Sequence, residues 1–236
     1  MKILALDTAT EALSAALLVE GQLLEHYELA GRAHSERLSA AIHRLMGEAE
    51  LGFSQLDALV CGVGPGSFVG VRLGLGYAKG LALALDLPVV PVSSLAMLAQ
   101  RAVDDGARDV LACIDARTGE VYLGGYAVDA SGLAVPAIEA CCARPAELPV
   151  IGARPWTGVG SGWAAHRTLI EARCGIVLAD CRPQAMPLAS SALKLALPVL
   201  QRGAAIAADQ LVPSYLRDRV ALTIMEQARA RAANRG

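Results

Sequence analysis

Three short segments hold the residues whose types and spacing could do chemistry. The first is Gly62-Val63-Gly64-Pro65-Gly66-Ser67-Phe68-Val69-Gly70-Val71-Arg72, between an apolar run at Ala58 to Cys61 and a helical pattern reaching Leu85. A glycine loop between a strand end and a helix start lets backbone N–H groups and the helix dipole meet an anion. The other reading is a tight turn that needs glycines for its backbone. The second segment is Asp7-Thr8-Ala9-Thr10, an acid and two hydroxyls following the apolar run Ile3-Leu4-Ala5-Leu6. Such a set can face a metal-bound phosphate, or close a turn through Asx-type hydrogen bonds. The third is Asp115-Ala116-Arg117-Thr118-Gly119-Glu120. Here Arg117 and Glu120 could pair across a polar turn or reach into a cleft; an exposed pair contributes about 0–1 kcal/mol.

Spacing excludes several known sites. The loop lacks the Lys-Ser/Thr of a P-loop, and as Gly64-x-Gly66-x-x-x-Gly70 it is one residue longer than the dinucleotide fingerprint. Ser67 does not stand in G-x-S-x-G, so it is not a nucleophile elbow. His34 and His43 are nine apart, off the i, i+4 spacing of a helical metal pair. His34 reads as an ordinary helix-start residue rather than a ligand.

The 236 residues suit one large domain or two small ones. With 54% hydrophobic and 19% charged residues the chain builds a core. A net charge of −2 gives no general case for nucleic acid, and 4% aromatics argue against a base-stacking platform. The six cysteines form no C-x-x-C and no Cys/His zinc spacing, and read as reduced, buried thiols of a cytoplasmic protein. Ile3 to Leu6 is too short for a signal peptide, and Lys79 and Asp86 interrupt the best candidate for a membrane span.

The elements that must position these residues follow from periodicity. A first strand ends at Asp7. Leu13 to Val19 and Leu23 to Leu29 form a hairpin about Glu20-Gly21-Gln22. This entry suggests a ribonuclease-H-like sheet, in whose ATPases the first-strand Asp faces metal and phosphate. A helix follows from His34, with Leu38, Ala41, Ile42 and Leu45 at helical spacing and Ser35 as candidate cap. The helix after the glycine loop holds Gly70, Gly74, Gly76 and Gly80. Each costs roughly 1 kcal/mol against Ala, so close backbone approach must offset on the order of 4. Gly70, Gly74 and Ala78 line one face; Gly76, Gly80 and Ala84 line another. One can lie on the protein's own sheet. The other is expected to take a neighbouring helix, unless both are internal core.

A break at Asp104-Asp105-Gly106-Ala107-Arg108 divides the chain into 1–105 and 106–212, with 213–236 a loop and helix expected to pack back on the first part. The second part restarts as strand, polar turn, strand, an echo in topology without sequence repeat. A second strand–glycine loop–helix unit spans 157–173, and Pro198 is placed to kink or end the helix at Ser190 to Gln201. The tail from Val220 is helical by composition and locally basic at Arg229, Arg231 and Arg235. It reads as a solvated helix end, with a weak RNA or acidic-partner contact as the alternative.

Ile3 to Thr10, the Gly-Pro-Gly-Ser-Phe-x-Gly-Val-Arg loop, Asp115-Ala116-Arg117-x-x-Glu120-Val121-Tyr122 and Pro213-x-Tyr215-x-Arg217 together resemble the TsaB (YeaZ) family, over nearly the whole chain. The resemblance implies an α/β fold of two ribonuclease-H-like lobes, the actin/Hsp70/sugar-kinase architecture. It implies a non-catalytic partner of TsaD, the transferase that makes N6-threonylcarbamoyladenosine 3′ of the tRNA anticodon. TsaE would be the associated ATPase. The chain would be a homodimer alone and a heterodimer with TsaD, touching tRNA only indirectly and no membrane. The metal-binding H-x-x-x-H of TsaD is missing: none of His26, His34, His43 and His166 is four from another.

The resemblance also implies sites. A vestigial nucleotide cleft would comprise Asp7, Thr8, Thr10, Gly64, Gly66, Ser67 and Arg117. No cofactor would be required, and ATP or ADP would belong to the complex interface. The first two long helices would carry the partner interface, at His34, Leu38, Ile42, Leu45, Arg72, Gly76, Lys79 and Gly80. Val69 stands where the family has Thr, which puts any anion-binding hydroxyl there in doubt. Two alternatives stand: a small-molecule kinase or ATPase using Asp7 and Asp115 from opposite lobes, and a glycoprotease-like metallopeptidase, opposed by the missing His pair.

Overall fold

The computed structural model describes residues 1–31 and 33–217. The expected helix in the tail lies outside them. β1 (Lys2–Asp7), β2 (Ala12–Val19) and β3 (Gln22–Leu29) form an antiparallel meander. Glu20 and Gly21 both have positive φ, 52° and 89°, the two-residue turn whose twist matches the flanking strands. α1 (His34–Glu48) crosses over to β4 (Ala58–Gly62), and α2 (Phe68–Leu85) to β5 (Val89–Val92); both strands run parallel to β1. The sheet order is β3-β2-β1-β4-β5.

After α3 (Ser94–Asp104) the same plan repeats. β6 (Asp109–Asp115), β7 (Val121–Val128) and β8 (Ala134–Ala143) form a second meander. β9 (Thr157–Val159), α4 (Gly162–Cys174) and β10 (Asp180–Arg182) complete it. The order β10-β9-β6-β7-β8 is the first sheet's order again. The topological echo in the sequence is therefore a duplicated α/β lobe.

Alternation along the strands builds the layers. Leu4, Leu6, Leu13 and Leu17 pack beneath α1 and α2, whereas Ile3, Ala5, Ala16 and Val60 pack on α5 (Ala189–Gln201). Val110, Ala112 and Ile114 face α3; Leu111 and Cys113 face Trp163 and Ile170 of α4. The middle layer, α3 with α5, separates the sheets. Although α5 lies within the expected second part, 106–212, it packs on the first sheet. Its apolar stripe of Ala189, Ala192, Leu193 and Ala196 fits there, a match that no boundary drawn by composition could register. Pro198 does not end α5, which runs three residues further.

Two other expectations change. α1 starts two residues earlier than a Ser35 cap allows, with Ala33 at the N-cap and no side-chain cap bond. Despite Arg72 and Lys79, Phe68–Leu85 is by length and hydropathy alone sufficient to cross a membrane. In this fold its inner side lies on the first sheet.

Candidate functional site

The glycine loop joins β4 to α2 directly above the end of β1. Ser67 caps α2, its Oγ accepting from Gly70 N at 3.4 Å, and Ser67 N donates to Ala9 O at 2.6 Å. A Cβ at Gly70 would lie 2.1 Å from Thr8 O, and one at Gly74 2.7 Å from Thr8 Oγ1. Close approach to the Asp7–Thr10 segment is thus what these glycines serve. Gly64 alone in the loop has positive φ, 91°.

That approach seals the acid. Asp7 is 1% exposed; its Oδ1 accepts from Ala9 N at 3.2 Å and its Oδ2 from Ser94 Oγ at 3.3 Å. Burial, only partly offset by these hydrogen bonds, pushes its pKa up to about 6. Thr8 Oγ1 donates to Gly70 O at 2.7 Å. Asp7 and Thr8 therefore form the Asx-type closure of the segment and a brace for α2. They do not fit the role of metal or phosphate ligands.

A cavity of about 870 Å3 opens beside them, between the lobes. Of the expected nucleotide residues, Thr10, Gly66, Ser67 and Arg117 line it; Asp7, Thr8 and Gly64 do not. Its cations already have partners. Arg117 lies 2.5 Å from Glu11 and 3.8 Å from Asp115, while Arg217 lies 2.6 Å from Glu120. Of the two readings of Arg117, the structure favours the cleft: Arg117 lines the cavity and pairs with Glu11 and Asp115, while Glu120 pairs with Arg217. Arg72 stacks 3.4 Å from the Phe68 ring centroid and bonds the Tyr215 hydroxyl.

The expected partner face divides in two. Leu38, Ile42 and Leu45 are at most 1% exposed and fill the protomer's own core. His34 is buried too, its Nε2 donating to Ala12 O at 3.2 Å. Leu38, Ile42 and Leu45 are corrected to core positions, because the apolar stripe that gives α1 its helical period is the stripe its sheet requires, and His34 to a buried position in the cavity wall. Lys79 is half-buried and donates to Asp209 O at 3.0 Å. Arg72, Gly76 and Gly80 are exposed, and a Cβ on either glycine would meet nothing within 4 Å. Phe68, Val69 and Leu83 flank them at 57%, 74% and 63% exposure. Sequence reasoning missed Phe68, Val69 and Leu83 as part of this face, and Glu11 and Ser94 as tertiary partners. Only the placement of the first three on the helical period of Gly76 and Gly80 could have signalled the apolar flank.

The geometry is that of two lobes braced across a cavity, with one small-residue helix face open. A family model described as TsaD, tRNA N6-adenosine threonylcarbamoyltransferase, matches residues 26–225. The tRNA threonylcarbamoyladenosine biosynthesis protein TsaB of Escherichia coli K12 is 39% identical, over 94% of this chain and 96% of its own. That of Haemophilus influenzae is 37% identical, over 93% and 95%. The chain belongs to the TsaB family. YeaZ from Pseudomonas aeruginosa superposes with a TM-score of 0.85 at 40% identity, covering 91% of this chain and 99% of that one. The fold is the two-lobe, ribonuclease-H-like architecture of the actin/Hsp70/sugar-kinase group, which the duplicated sheet order fits.

Proposed function

We propose that this TsaB-family chain is the non-catalytic scaffold of the complex that transfers a threonylcarbamoyl group to N6 of the adenosine 3′ of the tRNA anticodon. The observation that carries this reading is the open α2 stripe of Gly76 and Gly80 between exposed Phe68, Val69 and Leu83. An exposed helix that forgoes side chains at two interior positions loses stability unless another backbone approaches them. TsaD is the partner assigned to this face, a second copy of the chain takes it when TsaD is absent, and TsaE joins the heterodimer. The complex works in the cytoplasm, touches tRNA through TsaD, and holds ATP or ADP only at the subunit interface.

The chemistry of the donors supports a non-catalytic role. Asp7, the carboxylate a kinase or ATPase of this architecture would direct at metal, is sealed under Gly62 and bound to Ser94. Among the described residues, no three His, Cys, Asp or Glu side chains are placed to hold a metal ion.

Co-purification with TsaD and TsaE from the same cell, followed by a tRNA threonylcarbamoylation assay, tests the reading. TsaD is expected to gain activity only with this chain present, and Gly76→Leu to abolish the complex while the variant still unfolds cooperatively. ATP hydrolysis or metabolite phosphorylation by the chain alone, lost in Asp7→Asn, would overturn the reading in favour of the kinase-like one.

A further inference from the structure

Pro213–Arg217 crosses the mouth of the interlobe cavity and grips both lobes in turn. Ser214 N donates to Val63 O at 2.8 Å, just beyond β4. The Tyr215 hydroxyl accepts from Arg72 of α2, whose guanidinium sits 3.4 Å from the Phe68 ring centroid and 5.5 Å from that of Tyr215. The next two residues turn to the second lobe. Leu216 enters the apolar layer of α3, β6 and β7. Arg217 Nη2 lies 2.6 Å from Glu120 Oε2 and donates to Ala116 O at 3.1 Å and Thr118 Oγ1 at 3.3 Å. Four consecutive residues thus tie α2 and the β4 loop to the β6–β7 turn.

The other contact across this mouth is weaker in kind. Arg117 and Glu11 meet at 2.5 Å, but their side chains are 74% and 48% exposed, and such pairs hold little against water and salt. Arg217 is more enclosed, at 26% exposure, with a forked set of acceptors. On the far side of the cavity α3 and α5 pack against each other between the two sheets, a broader junction than the contacts across this mouth.

We propose that Pro213–Arg217 is a strap that sets the width of the interlobe cleft, and that a protein seated on the outward face of α2 tightens it through Arg72. The second half rests on the partner reading of that face. Arg72 and Gly76 are four residues apart on one side of α2, so a partner covering Gly76 also covers the Phe68–Arg72–Tyr215 stack. A cation–π contact strengthens as water leaves it. Partner docking should therefore hold the strap down and the cleft narrow.

Double electron–electron resonance between nitroxides on unnatural residues at Glu48 of α1 and Leu169 of α4, both exposed, reads the interlobe distance. In the free chain, Tyr215→Ala and Arg217→Met are expected to broaden the distribution and lengthen its mean by several ångströms. Val212→Ala, exposed beside the strap, is expected to leave it unchanged. If either variant loses cooperative unfolding, Tyr215→Phe and Arg217→Lys replace them. Distributions identical to wild type would overturn the strap. Adding purified TsaD in excess should narrow the wild-type distribution and leave that of Tyr215→Ala broad. A complex seen by gel filtration without narrowing overturns the coupling. Absence of any complex overturns the partner reading and the coupling together, while the free-chain distances still decide the strap.

Discussion

Gly62 lies against the carboxylate of Asp7: a Cβ on Gly62 would fall 1.9 Å from Asp7 Oδ2. The end of β4 is thus the lid of a buried acid, and no side chain fits between them. Asp7 is in turn tied to Ser94 at the start of α3, so one carboxylate joins β1, β4 and the helix leading to the second lobe. Gly62→Ala is expected to force Asp7 off Ser94 and to destabilise the protein by about 1–3 kcal/mol, the range for overfilling a packed site. Urea unfolding midpoints at constant m-value check this.

The raised pKa of Asp7 makes stability depend on pH in a definite direction. Burial favours the neutral acid in the folded chain. The stability this contributes is fully present below the ordinary value of 3.8 and is lost as pH rises through about 6. The gap corresponds to about 3 kcal/mol, of which about 2 falls between about pH 4.5 and pH 7.5. Asp7→Asn cannot ionise, so the wild type is expected to lose about 2 kcal/mol relative to it across that interval. Unfolding free energies of both proteins at the two pH values measure the difference; equal slopes would show that Asp7 does not titrate there.

The glycines of α2 should answer alanine with opposite signs. Gly76 is exposed with open space beside it, so Gly76→Ala is expected to stabilise the monomer by about 0.5–1 kcal/mol through helix propensity. At Gly74 the new methyl would meet Thr8 Oγ1 at 2.7 Å and Leu6 Cδ1 at 3.3 Å, and a loss of about 1–3 kcal/mol is expected. Thermal unfolding of the two variants at low concentration separates the faces.

Gln100 is fully buried in α3 and bonds the second lobe. Its Nε2 donates to Gly132 O at 3.1 Å and to Asp104 Oδ1 at 2.8 Å, and its Oε1 accepts from Ala134 N at 2.8 Å. Gln100→Leu leaves a buried N–H and a carbonyl without their partner. A cost of about 2–3 kcal/mol is expected, with faster amide exchange at Ala134 measured by hydrogen exchange.

Local pattern was enough for much of this protein. Alternation from Ile3 to Leu6, the turn at Glu20-Gly21 and the paired strand–glycine loop–helix units are properties of neighbouring residues, and a duplicated α/β fold follows from them. The two glycine faces of α2 were legible for the same reason, since helical period alone assigns Gly74 and Gly76 to different sides. What period cannot say is which partner an apolar stripe meets. Leu38, Ile42 and Leu45 would suit another subunit or the chain's own sheet equally well, and only the placement of α1 over β2 buries them within the protomer. Likewise Asp7 followed by two threonines fits a phosphate site as well as a turn. The contact with Gly62, fifty-five residues on, decides between them by closing the acid from the cavity. Arg217, Glu120, Arg72 and Tyr215 meet only because two lobes fold face to face, so that pairing is written in the tertiary structure and in no segment of the chain.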